Sequence, residues 1–309
     1  MSIKDNALAF DSLSPIAIFA YKRLDTLKKV IENLQQCFLA DKSELFVFSD
    51  GAKINEDQEA VNAVRAYLEK IKGFKKIHLK FSEKNKGLAD SIITGASEIL
   101  DQYHKIIVLE DDLIPSTNFL EYMNQALHTY KDNANVFSIS GYTSPIKKPR
   151  DYSYDNYFTL RGSSWGWGTW TDRWEKVDWQ VKDYKEFAKD NKQKRKFNQM
   201  GSDLSGMLSQ QMKGEISSWA IRWCYHQFKI KSYTAFPIIS KISNVGFGDE
   251  ATHTAGADER FKTPLDVSSK KNFMFHPTPH LNPTFIKQFV SRYSLKTRAY
   301  YKIKIFFSR

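Results

Sequence analysis

The chain has 309 residues, 41% of them hydrophobic and 14% aromatic, which is enough to bury a large core and excludes a disordered chain. A formal net charge of +11 raises polyanionic partners such as nucleic acid, anionic membranes or phosphorylated substrates. However, Lys287, Arg292, Lys296, Arg298, Lys302, Lys304 and Arg309 all lie after Thr284, where no acid occurs, so the body is only mildly basic.

At the amino end, MSIKDNALAFDSLSP lacks the apolar run of a signal peptide, and nowhere do about 18 uncharged apolar residues follow one another. These features predict a cytoplasmic chain, peripheral at most on the inner face of the cytoplasmic membrane. Cys37 and Cys224 stand far apart inside apolar patterns, which predicts reduced, buried thiols and excludes a disulfide scaffold.

From Pro15 to about Ser140, short β-like runs alternate with helical patterns, the rhythm of a parallel α/β sheet. The predicted strands are Ile16 to Tyr21, Leu45 to Ser49, Lys76 to Phe81, Lys105 to Glu110 and Val136 to Ser140. Between them, Leu27, Val30, Ile31 and Leu34, then Val61, Val64, Leu68 and Ile71, then Leu88, Ile92, Ala96 and Ile99 recur at helical spacing as core faces. In such sheets ligands bind past the carboxyl ends of the strands. Here those positions hold Lys22 and Arg23, Asp50 and Gly51, Ser82 to Gly87, and Glu110 to Asp112. After Ser140 the composition turns rich in Gly, Trp and Tyr, with Trp165, Trp167, Trp170, Trp174 and Trp179 close together. A charged helical region follows from about Asp183 to Gln211, then a mixed segment to Pro283, and last the basic tail.

The most informative string is KIIVLEDDLIPS, residues 105–116, an apolar strand that ends in Glu110, Asp111 and Asp112. Three adjacent carboxylates repel one another, and a hard divalent cation with oxygen ligands relieves the repulsion. The same cation, as a Lewis acid, neutralises the charge that develops on a diphosphate leaving group. The plainer alternative is that the acids favour the amino end of a helix beginning near Ser116.

With these residues in view, the chain resembles the GT-A glycosyltransferases, particularly the branch of N-acetylglucosaminyltransferase I and many capsule or lipopolysaccharide sugar transferases. That branch writes its metal motif as Glu-Asp-Asp after an apolar strand. The resemblance covers roughly residues 15–255 and implies an α/β fold with a mixed, mostly parallel sheet flanked by helices. It implies that Asp112 binds Mn²⁺ or Mg²⁺, with Glu110 and Asp111 near the ribose and sugar of a nucleotide-diphosphate sugar donor. PIAIFAYKR resembles the first strand, so that Ala20, Tyr21 and Arg23 border base and phosphates. FVFSDG resembles the second, with Asp50 accepting from the donor base, and in SEKNKGLADSI the residues Asn85 and Gly87 let backbone approach the nucleotide.

RGSSWGWGTWTDRWEKVDW, residues 161–179, resembles the segment that walls the acceptor side, Trp165 included. Aromatic faces suit sugar C–H surfaces, and Gly162, Gly166 and Gly168 permit close approach. A tryptophan-rich core is the alternative. GEISSWAIRWCYHQF and SKISNVGFGDEATHT resemble the catalytic-helix region and a late loop. Direct displacement needs a carboxylate to take the acceptor proton. The acid usual beside the tryptophan is missing, since Ser217, Ser218, Trp219 and Ala220 stand there. Glu215 is therefore the first candidate base, Asp249 and Glu250 the reserves, and His253 a second metal or phosphate ligand.

The tail mixes Phe285, Ile286, Phe289, Val290, Tyr293, Tyr300, Tyr301 and Ile303 with bases, which suits an anionic membrane where lipid-linked acceptors reside. A helix docked on the body is the alternative. The expected layout is a GT-A domain over residues 1–260, with a nucleotide-sugar half at 15–140 and an acceptor half at 141–260, then an extension over 261–309. The expected activity is inverting transfer of a hexosyl or N-acetylhexosaminyl group to a glycan or lipid-linked acceptor in capsule, lipopolysaccharide or exopolysaccharide synthesis. No nucleic-acid partner is expected. A sugar-phosphate nucleotidyltransferase fits less well, because AYKRLDT has no glycine loop for a triphosphate. A non-enzymatic membrane or nucleic-acid binder leaves the acid cluster unexplained.

Overall fold

The computed structural model describes residues 12–246 and 258–307. Its first half follows the predicted alternation: β1 (Ile16–Ala20), α1 (Leu24–Gln35), β2 (Glu44–Ser49), α2 (Gln58–Leu68), β3 (Lys76–Phe81), α3 (Leu88–Tyr103), β4 (Lys105–Glu110), β5 (Leu113–Pro115), α4 (Phe119–Thr129) and β6 (Val136–Ser140). Then come β7 (Asn156–Thr159), β8 (Trp167–Trp170) and α5 (Thr171–Trp174). The region predicted as one helical stretch is broken into α6 (Tyr184–Lys189), α7 (Asn191–Phe197) and α8 (Leu204–Met212). The remainder is α9 (Trp219–Ile230), β9 (Tyr233–Pro237), β10 (Ile242–Asn244), α10 (Asp258–Phe261), α11 (Pro283–Arg292) and α12 (Leu295–Phe307).

Eight strands form one sheet in the order β3-β2-β1-β4-β8-β6-β9-β7, and β5 and β10 form a separate antiparallel pair. Only β8 and β7 run against the other six. The side-chain alternation of each strand splits the interior into two layers. Ile16, Ile18, Leu45, Val47, Ile107 and Leu109 face α1, α2 and α4. Ala17, Phe19, Phe46, Ile106 and Val108 face α3 and a tryptophan cluster. A strand buried on both faces needs a continuous apolar run, which β1, β2 and β4 carry, whereas the edge strand β3 alternates and is largely open.

The tryptophans largely answer to the core alternative. Trp167, Trp174, Trp219 and Trp223 are buried and mutually packed, with ring centroids 4.4 Å apart for Trp167 and Trp223. Trp170 is buried as well, under the Arg173 guanidinium. Of the five in residues 165–179, only Trp165 and Trp179 are partly open. The glycines serve the protein's own packing: a side chain at Gly166 would strike Ile242, and one at Gly168 would strike Ile106.

The first part of the tail, α11, answers to the docked alternative in the same way. Phe285 and Phe289 of α11 are buried against Tyr157 and Phe236, and Tyr293 is buried beside them, while Ile286 and Val290 pack on α8 and α9. Those side chains belong to the core, because the ends of β7 and β9 would otherwise expose their own aromatic face.

Candidate active site

The chain winds outward from β1 through β2 to β3 and then returns to the far side of β1 as β4. The crevice at such a reversal lies beyond the carboxyl ends of the two strands that flank it. Tyr21 to Arg23 follow β1 there, and Glu110 to Asp112 close β4 there. The acids do not cap a helix, because β5 separates them from α4, whose preceding residue is Asn118.

Arg23 bridges the two strand ends. Its Nη2 donates to Asp111 and lies 2.9 Å from Asp112 Oδ2, and the Tyr21 amide points at Asp111 Oδ2 from 3.4 Å. Burial works against the Arg23 charge, and the two carboxylates more than offset it, holding the guanidinium firmly protonated. One cation does not balance three acids. Burial pushes the Asp111 carboxyl up to about 6 in spite of Arg23. Glu110 is pushed well above the usual carboxylate range, first by burial and then by Asp112 and Asp111. The cluster thus carries negative charge with no local compensation beyond Arg23 among the described residues.

The neighbouring loops are shaped by Asp50 and by two residues that the sequence reading did not single out. Asp50 is buried and accepts from the amides of Gly51, Lys86 and Gly87 at 2.9 Å each, which welds the loop after β3 to the end of β2. Asn85 adds a bond from Nδ2 to the Gly51 carbonyl at 2.8 Å. Gly87 has φ +77°, a left-handed conformation that strains other residues. Arg65 reaches the carbonyls of Asp50 at 3.2 Å and Ser82 at 2.6 Å, clamping the same strand ends. Asp57 accepts from the Tyr21 hydroxyl at 2.6 Å and pairs with Lys22 at 2.7 Å, and burial followed by that hydrogen bond pushes the tyrosine up to about 12. Neither Arg65 nor Asp57 sits past an apolar strand, so no local signal marked them.

On the other wall, β10 pairs with β5 and the Val245 amide donates to the Asp112 carbonyl at 2.9 Å. Gly246 is packed so tightly that a side chain there would collide with the Asp112 carboxylate. Trp165 is half-buried, stacked edge-on against Tyr142 at 4.5 Å and Phe261 at 5.6 Å. Gly141 and Gly166, joined through the Gly141 amide and the Gly166 carbonyl, both pack against Ile242 of β10. Ala20 ends β1 as a buried residue.

The candidate bases are placed unevenly. Glu215 is exposed on the turn before α9, with its amide bonded to the Gln210 carbonyl at 2.9 Å and Lys213 3.9 Å from its carboxylate. No contact joins it to the acid cluster among the described residues. Ser218 caps α9 instead, accepting from the Ile221 amide at 3.4 Å. Asp249, Glu250 and His253 lie outside the described residues.

The donor set fits a divalent cation held mainly through its other ligands. No group of three His, Cys, Asp or Glu side chains could hold a metal alone among the described residues. Magnesium-like cations commonly take one or two carboxylates and complete their shell with substrate phosphates and water. The Asp112 and Asp111 carboxylates, crowded and undercompensated, offer that partial set.

A mostly parallel sheet with acids at its reversal point and helices on both faces is the GT-A fold. The chain belongs to glycosyl transferase family 2, whose sequences match residues 16–191. Among solved structures it is similar to the mannosyltransferase PcManGT from Pyrobaculum calidifontis in complex with GDP-Man and Mn²⁺ (TM-score 0.36, 13% identity, 55% of this chain and 50% of that one). It is similar to GalNAc-T7 with UDP, GalNAc and Mn²⁺ (TM-score 0.47, 10% identity, 76% and 44%). A third is S. aureus TarS (TM-score 0.35, 12% identity, 53% and 30%). This chain spans half or less of the length of each. No curated protein matches it.

Proposed function

We propose that the protein is a metal-dependent, inverting glycosyltransferase that moves a sugar from a nucleotide-diphosphate donor to a hydroxyl of a glycan or lipid-linked acceptor. Its setting is surface polysaccharide synthesis (capsule, lipopolysaccharide or exopolysaccharide) at the inner face of the cytoplasmic membrane. One observation carries the donor reading: three acids face a single arginine at the reversal point of a family 2 sheet.

In this reading Asp112, with His253, holds Mn²⁺ or Mg²⁺, and the cation supplies Lewis-acid neutralisation of the leaving diphosphate. Tyr21 and Arg23 border the phosphates, and the loop of Asn85 and Gly87 receives the nucleotide. Asp50 serves the base both through that loop and through its remaining lone pair. Trp165, half-buried, offers the acceptor its open ring surface. The acceptor oxygen attacks the anomeric carbon, the bond to the diphosphate oxygen breaks, and the hydroxyl proton passes to a carboxylate. Glu215 is the first candidate for that carboxylate because it is the acid nearest Trp219 in the sequence. Asp249 and Glu250, outside the described residues, are the reserves.

Calorimetric titration of UDP, GDP, TDP and CMP with and without Mn²⁺ tests the reading. At least one nucleotide should bind about tenfold tighter with the metal, and Asp112→Ala should abolish the gain. Equal affinity in all cases, or an unchanged Asp112→Ala protein, rejects the metal-dependent donor site. Glu215→Gln should bind donor normally and lose transfer.

A further inference from the structure

The last helix is built inside out. In α12 the residues Leu295, Ala299 and Ile303 recur every four positions and so share one face. That face is outward: Leu295 is 70% exposed and Ile303 58%, and Ala299 is exposed between them. The polar side is turned inward, where Arg298 Nη1 donates to Ser202 Oγ at 3.0 Å and Thr297 Oγ1 donates to the Ser291 carbonyl at 2.7 Å. A surface helix of a globular protein has the opposite arrangement.

Lys296 and Lys302, both exposed, flank the outward apolar stripe. Beside it, Ser291, Arg292, Lys296, Thr297, Tyr300 and Tyr301 line a groove of about 460 Å³ that contains two cations, four hydroxyls and no acid. Tyr300 is 60% exposed at its edge.

We propose that this face lies on an anionic phospholipid surface, with Leu295, Ala299 and Ile303 entering the headgroup boundary and the Arg292–Lys296 groove taking a headgroup phosphate. This deepens the membrane part of the reading above and is independent of its donor part. Charge selects the occupant. From Thr284 onward there are bases and no acids, so a second copy of the same face would be repelled. A nucleic acid would use the bases and leave the apolar stripe in water. An anionic bilayer satisfies both, and a helix of this kind lies in the interface plane. None of the described helices is long and apolar enough to cross a membrane.

Sedimentation of the full chain with phosphatidylcholine vesicles, with and without phosphatidylglycerol, tests the inference. Binding should rise at least tenfold with phosphatidylglycerol and fall with salt, since each base near an anionic surface contributes roughly fivefold. Leu295→Glu/Ile303→Glu and Lys296→Glu/Lys302→Glu should each lower it about tenfold while leaving melting temperature and nucleotide binding unchanged. Three results overturn it: no preference for phosphatidylglycerol, full binding by Leu295→Glu/Ile303→Glu, or a dimer in sedimentation that those substitutions dissociate. Loss of nucleotide binding with vesicle binding intact would count against the donor site alone.

Discussion

Arg23, at the end of β1, donates to Asp111 and lies 2.9 Å from Asp112 Oδ2 at the end of β4, so one side chain ties together the two strands that flank the sheet's reversal. It occupies the position of a counter-ion in a cluster that holds more acid than one cation can balance. Arg23→Met should therefore destabilise the protein by about 2–4 kcal/mol, because removing one partner leaves buried carboxylates facing each other. Millimolar Mn²⁺ should restore part of the lost melting temperature, and adding Asp112→Ala should cancel the restoration. Equal melting temperatures with and without metal would refute the shared role.

Glu110 carries no hydrogen bond or ion pair among the described residues and stands next to two like charges. Glu110→Gln keeps the shape and removes one repelling charge, so the variant should be more stable than the parent at pH 7.5, by on the order of 1 kcal/mol. Donor affinity in the presence of Mn²⁺ should fall in the same variant. Thermal melts and calorimetry check both signs, and a less stable variant would show that Glu110 has a cationic partner.

Most of the first half was legible in the sequence because the buried strands β1, β2, β4 and β6 write themselves as apolar runs and the edge strand β3 as an alternation. The predicted bounds of β3, β4 and β6 coincide with the structure, and those of β1 and β2 differ by one residue. The second half was not. β7 to β10 are three to five residues long, and their aromatic residues could stack on a sugar or on one another without any change in pattern. Trp167 stacks on Trp174 and meets Trp223 edge-on, an arrangement that only the packing of α9 against α3 decides. The acid cluster was legible as a strand-end motif, whereas its arginine partner lies 88 residues away and became evident only through the strand order.

Gly87 has φ +77° and no atom within 4 Å of where a side-chain carbon would stand. Gly87→Ala should therefore cost only backbone strain, about 1–2 kcal/mol. Its effect on nucleotide affinity should exceed this small loss of stability if the loop receives the donor. Asp50→Asn, which weakens the bonds to the Lys86 and Gly87 amides, should act in the same direction. Unaltered affinity in both variants would separate this loop from the site.

Lys241 and Asp266 form an ion pair in which both side chains are about 5% exposed or less. Lys241 directly precedes β10, and its backbone accepts from the Ser116 amide at 2.8 Å and donates to the Gly141 carbonyl at 2.7 Å. The pair thus anchors the small sheet that presses Gly246 onto Asp112. Burial alone would raise the Asp266 carboxyl, but the bonds from Lys241 and Ser268 outweigh it and hold it at about 2. A carboxylate held below its unfolded value stabilises the fold above roughly pH 4, and that contribution is lost as pH falls toward 2. Asp266→Asn should flatten this acid-side slope. At pH 7 it should cost about 3–5 kcal/mol, since it leaves the Lys241 charge buried without its partner. Asp266→Asn/Lys241→Met, which removes both charges, should recover much of that loss and with it the manganese-dependent nucleotide affinity. If the double variant regains stability but not affinity, β10 is not what positions Asp112 for the donor.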